Sequence, residues 1–80
     1  MITVLIVDDE PLIRRGLESM IAWEQAGFRL AGQASNGEEG LEKIRERKPD
    51  VVFTDIKMPK MDGISMIREA LKEVNPPVFV

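Results

Sequence analysis

Two apolar runs, Thr3–Val7 and Val51–Thr54, interrupt an otherwise mixed chain. Both are continuous, not alternating, and both are rich in β-branched residues, as expected of strands covered on both faces. A third stretch alternates Phe28, Leu30 and Gly32 with Arg29, Ala31 and Gln33. It predicts a shorter, less buried strand. Val78–Val80 follows the breaker Asn75-Pro76-Pro77 and begins a fourth. Between the strands the apolar period changes to that of a helix. Leu12, Ile13, Gly16, Leu17, Met20 and Ile21 form one face after Pro11, which suits a first helical position with Asp9 or Glu10 as cap. Trp23 is expected to pack at the end of that helix, and Gly27 closes the unit.

A second helix follows the turn and cap Ser35-Asn36-Gly37. Glu38 and Glu39 fall in its first turn, where the helix dipole favours them. Leu41 and Ile44 face inward, and Glu42, Lys43, Arg45, Glu46 and Arg47 form a solvated face ended by Pro49-Asp50. Asp62 caps a third helix with Ile64, Ile67, Ala70, Leu71 and Val74 on its apolar side. The resulting βαβαβαβ order predicts a parallel sheet with right-handed crossovers and helices on its faces.

Eighty residues allow one small domain, here 1–80. Composition changes the picture through what is missing. Without cysteine or histidine there is no disulfide, no thiolate or imidazole ligand and no imidazole base. Any metal must be held by oxygen, which favours magnesium, calcium or manganese over zinc. A net charge of −3 with scattered basic residues argues against nucleic-acid binding by this chain itself. The N-terminal apolar run meets Asp8, Asp9 and Glu10 without a basic flank or cleavage site, so it reads as a strand and not a signal peptide. No apolar run reaches membrane-spanning length, and a cytoplasmic location is expected.

The candidate chemistry lies where the two buried strands end. One finishes in Asp8-Asp9, the other in Asp55. In an open parallel sheet the carboxyl ends of strands form the ligand-binding rim. Three carboxylates there repel one another unless a cation lies among them, so a divalent metal site is the first reading. Taken one at a time, Asp55 is better explained as a turn residue, and Asp8 and Asp9 have a similar plain reading as caps of the first helix.

Asp8-Asp9-Glu10-Pro11, Thr54-Asp55, Met58-Pro59 and Met61-Asp62-Gly63, in this order, resemble the receiver domain of two-component response regulators. The resemblance runs from Met1 to Val80. It implies a flavodoxin-like, doubly wound α/β fold with strand order 2-1-3-4. It also implies that Asp55 is the phosphoacceptor, with a sensor histidine kinase as donor. Mg2+ would be bound by Asp9 directly, by Asp8 through water, by Asp55 and by the backbone carbonyl of Lys57. The stretch from Trp23-Glu24 to Gly27-Phe28 resembles receivers joined to helix-turn-helix DNA-binding domains of the arabinose-regulator type. That resemblance implies a transcriptional regulator that meets DNA only through a C-terminal domain outside this sequence. A phosphoacceptor of this kind is not an enzyme beyond catalysing its own phosphorylation and dephosphorylation.

The receiver pattern has five βα units, so this chain is expected to be its N-terminal part, truncated after the start of the fourth strand. The family's Ser or Thr on the fourth strand and Lys on the fifth have no counterpart here, and the phosphoryl group should be poorly held. An open fourth strand and a bare sheet face are expected to drive self-association. Two other readings stand beside the receiver. An inert piece would bind metal without signalling. An aspartate-nucleophile phosphatase of the haloacid dehalogenase type needs a second aspartate two residues after its nucleophile, and Asp55-Ile56-Lys57 lacks it.

Overall fold

β1 (Ile2–Val7) and β3 (Val51–Thr54) lie side by side in the middle of the sheet, where continuous apolar runs belong. The computed structural model describes residues 2–20, 22–56, 61–73 and 75–80. β2 (Phe28–Ala34) and β4 (Val78–Phe79) flank the central pair. The order is β2-β1-β3-β4 and every pairing is parallel, as the alternating pattern predicts. The crossovers are α1 (Pro11–Met20), α2 (Gly37–Arg47) and α3 (Gly63–Ala70). Pro11 occupies the first helical position of α1, and Asn36 and Asp62 cap α2 and α3.

Period-two geometry divides β1 between two cores. Leu5 and Val7 join Ala34, Leu41, Ile44, Val52, Met66 and Ala70 beneath α2 and α3. Val4 and Ile6 point to the opposite face and pack with Trp23, against which Leu17, Phe28, Leu30, Val51 and Phe53 lean. Trp23 thus closes the end of the first crossover as expected, and its Nε1 donates to the Leu17 carbonyl at 3.2 Å.

β2 does not keep a single alternation. Its register to β1 shifts between Val4 and Leu5, where the partner jumps from Leu30 to Gly32 and Ala31 becomes the extra residue of a bulge. A one-residue shift reverses which face each later side chain meets. Phe28 and Leu30 therefore pack with Trp23, whereas Ala34 joins the core under α2. From α2, the Lys43 ammonium donates to the Gln33 carbonyl and the Arg47 guanidinium to the Ala31 carbonyl, which ties the bulged strand to that helix.

Two helical faces differ from the sequence pattern. In α3 the inward stripe is Gly63, Met66, Ile67 and Ala70, while Ile64 and Leu71 are exposed. Both sets have helical spacing, and close packing of Gly63 turns the first set inward. In α1, Leu12 is 76% exposed and Ile13 50% exposed, contrary to the expected buried face. Among the described residues, the helix meets the sheet through Leu17 and through Trp23 beyond it, and its first turn lies in solvent. Ile21 and Val74, also assigned to apolar faces, lie outside the described residues.

Candidate functional site

The ends of β1 and β3 bring the expected carboxylates to one rim. The Asp8 N–H donates to the Ala34 carbonyl, and the Asp55 N–H donates to the Val7 carbonyl, each at 3.0 Å. These ladder bonds extend both strands by one residue and set Asp55 beside the Asp8-Asp9 pair. One carboxylate oxygen from each of Asp8, Asp9 and Asp55 lies within 4.8 Å of the others. Asp8 and Asp9 are half-buried and Asp55 is exposed. A cleft of about 260 Å³, lined by Ile6, Leu17 and Phe53 as well as Asp8 and Asp55, opens beside them. Two larger depressions, around Ala22–Leu30 and around Pro49 and Pro76, lie away from these carboxylates. The grouping of carboxylates, and not volume, identifies the site.

The donor set is hard oxygen throughout, which suits magnesium. Octahedral ligands at about 2.1 Å from a common ion sit roughly 3–4 Å apart. A grouping within 4.8 Å reaches that spacing by small rotations of the carboxylates, or by a bridging water. The residues therefore fit a magnesium ion. Lys57, whose carbonyl was expected as a further ligand, lies outside the described residues, as do Met58, Pro59 and Lys60.

Further bonds shape the loops around the carboxylates. The Glu10 N–H donates to Asp8 Oδ1 at 2.9 Å, and the Glu10 carbonyl accepts from Ile13 and Arg14, so Glu10 occupies the cap position of α1. The Thr54 hydroxyl donates to the Asp55 carbonyl at 2.8 Å and shapes the strand end. Asp62 Oδ1 accepts from the Ser65 N–H at 2.8 Å, and this bond lowers the Asp62 pKa from its ordinary value.

Two glycines that the sequence offers only as part of a turn and of a motif pack tightly near the site. Gly63 donates to the Ile56 carbonyl at 2.7 Å, and a Cβ built on it would lie 2.3 Å from the Asp55 carbonyl oxygen. Gly37 donates to the Met61 carbonyl at 2.8 Å, and its Cβ would lie 2.1 Å from that oxygen. Both contacts are backbone against backbone, so a side chain at either position would push the Asp55 strand end or the loop before α3. The available signal was a glycine directly after each helix cap, Asn36-Gly37 and Asp62-Gly63. Sequence reasoning missed Arg14, whose guanidinium donates to the Asp8 carbonyl at 2.5 Å.

A parallel α/β sheet with a carboxylate cluster at the carboxyl rim of its central strands defines a receiver-like phosphoacceptor class. Residues 4–80 match the response regulator receiver domain family, and the chain belongs to it. Phosphorelay signalling is the role that goes with this membership. The chain is 45% identical over 80 residues to a protein-glutamate methylesterase/protein-glutamine glutaminase of Oleidesulfovibrio alaskensis, covering 100% of this chain and 21% of that protein. It is 44% identical over 78 residues to the transcriptional regulatory protein YesN of Bacillus subtilis, covering 98% of this chain and 21% of that protein. The receiver domain of AraT, a response regulator from Geobacillus stearothermophilus, superposes with a TM-score of 0.90 at 35% identity, over 96% of this chain and 60% of that one. The chain thus spans about a fifth of the length of these curated relatives. Among the described residues no helix is long and apolar enough to cross a membrane.

Proposed function

We propose that this chain accepts a phosphoryl group on Asp55 from the phosphohistidine of a sensor kinase. The observation that carries the reading is the convergence of the Asp8, Asp9 and Asp55 carboxylates at the strand rim. An Asp55 oxygen attacks phosphorus, the P–N bond to the donor breaks, and an acyl phosphate forms on the carboxylate. Such a transfer is governed by positioning and charge neutralisation. Asp8 and Asp9, with Asp55 itself and the Lys57 carbonyl, would hold magnesium. When bound, the ion offsets the negative charge of the carboxylates and the incoming phosphoryl oxygens. The exposure of Asp55 leaves its carboxylate open to a donor protein.

The parent protein works in the cytoplasm as a transcriptional regulator and meets DNA through a C-terminal domain. Support comes from the similarity to YesN, a protein named for transcriptional regulation. The expected outcome is phosphate incorporation from a small acyl-phosphate donor in the presence of magnesium, abolished in Asp55→Asn. Equal incorporation in the two proteins, read by intact mass, would remove Asp55 from this role.

A further inference from the structure

We infer that Arg14 is a positioning residue for the metal site, holding the Asp8-Asp9 loop by its backbone without touching the ion. The inference rests on the reading of Asp8, Asp9 and Asp55 as a magnesium site. Three bonds hold Asp8 itself. The Asp8 N–H donates to β2 at the Ala34 carbonyl, 3.0 Å away. The Asp8 carboxylate accepts from the Glu10 N–H at 2.9 Å, a bond internal to the loop. The third is the Arg14 guanidinium on the Asp8 carbonyl at 2.5 Å, in a partly buried setting. The Asp8 carbonyl belongs to the peptide that joins Asp8 to Asp9, so gripping it orients both carboxylates at once. The main-chain Arg14 N–H also donates to the Glu10 carbonyl at 3.2 Å, so the backbone that carries the guanidinium is tied to the far side of the same loop.

A cation beside three carboxylates has a second effect of opposite sign. As a charge alone, Arg14 repels a divalent ion, and its removal tightens magnesium binding. As a clamp, it keeps two ligands in place, and its removal weakens binding. Groups that orient metal ligands from outside the coordination shell are worth about 10- to 100-fold in metal affinity. The Arg14 bond reaches the carboxylates through the backbone, so the lower end of that range is expected. The sign of the change separates the two roles. A purely structural arginine would alter melting without altering affinity.

The test is calorimetric titration with magnesium chloride on the 80-residue chain, with melting by circular dichroism to establish that each variant is folded. Arg14→Ala is expected to weaken magnesium binding by about tenfold despite the lost positive charge. Arg14→Lys, which keeps a single cationic donor group, recovers part of the loss, and Arg15→Ala on the exposed side of α1 leaves affinity unchanged. In the metal-free protein, amide exchange at Glu10 is expected to accelerate in Arg14→Ala while the β1 amides stay protected. Arg14→Ala binding magnesium as tightly as the wild type, or more tightly, overturns the inference, as does unchanged Glu10 exchange. Asp9→Asn binding as well as the wild type overturns the metal site itself, and the Arg14 role with it. Loss of binding in Asp9→Asn alone removes only the role of Arg14.

Discussion

The two faces of the sheet bury β1 equally but by different means. Val4, Leu5, Ile6 and Val7 are all at most 1% exposed. Leu5 and Val7 lie under a helix pair, with Leu41 and Ile44 from α2 and Met66 and Ala70 from α3. Val4 and Ile6 lie under one indole. The Trp23 ring meets Phe28 edge-on, with centroids 6.3 Å apart, and Phe53 at a tilt, 5.9 Å apart. The helix on that side contributes Leu17 and leaves Leu12 and Ile13 in solvent. One large aromatic side chain buries 150–250 Å². It can therefore cover a strand face that a helix pair covers elsewhere, without fixing the first turn of the helix beside it.

The largest expected effect comes from cutting the helix-pair face. Met66 is fully buried between the helices and the sheet, so Met66→Ala leaves a cavity and should cost about 2–5 kcal/mol. A chain of this length has about 4–12 kcal/mol in all. Urea unfolding should therefore show a folded state close to its limit. On the indole face, Trp23→Phe keeps a ring but loses volume and the bond to the Leu17 carbonyl, and about 1–3 kcal/mol is expected. A larger loss for Trp23→Phe than for Met66→Ala would reverse the comparison, making the single indole the main support.

A smaller effect asks whether the two faces fail together. Asp50 accepts from both the N–H and the hydroxyl of Thr3, and the N–H first, then the hydroxyl, lower its pKa from the ordinary 3.8. A lowered carboxylate stabilises the fold fully above its ordinary value, and that stability is lost as pH falls through the lowered one. Acid should therefore loosen the tie between β1 and the start of β3, and with it both clusters. Trp23 fluorescence and far-ultraviolet circular dichroism are expected to change together below about pH 4, with a flatter profile in Asp50→Asn. An earlier fluorescence change would mean that the indole face opens alone.

The difference between the faces also explains what the sequence could tell. The β1 and β3 runs are apolar at every position, so their central place followed without knowing which side chain faced where. The rim carboxylates followed from the same runs, because each strand simply ends in its aspartate. The helical faces were less determined. In α3, Ile67 and Ala70 face inward as expected, but Ile64 and Leu71 satisfy helical spacing as well as Met66 does, and the backbone approach of Gly63 to Asp55 favours the Met66 side. The β2 bulge is likewise invisible as a pattern, because Phe28, Leu30 and Ala34 share one parity and yet meet opposite faces. Arg14 was one of two adjacent arginines, and nothing local distinguishes the one whose guanidinium reaches Asp8.

The smallest expected effect is the sharpest test of the open face. Apolar spacing places Leu12 in a core, where truncation to alanine costs about 2–5 kcal/mol. The structure places it 76% exposed, and surface substitutions of that kind fall within about 0.5 kcal/mol. Leu12→Ala should therefore leave the urea midpoint of the dilute protein unchanged, while Leu41→Ala, buried on the other face, should lower it clearly. The same residue bears on association. Leu12, Ile13, Val78 and Val80 are exposed apolar side chains, and such surface favours contact between copies at high concentration. Sedimentation across a wide concentration range should then show weaker association for Leu12→Ala together with Ile13→Ala than for the wild type. A core-sized loss of stability on replacing Leu12 alone would show that α1 packs as tightly as α2 and α3, and the contrast between the two faces would disappear.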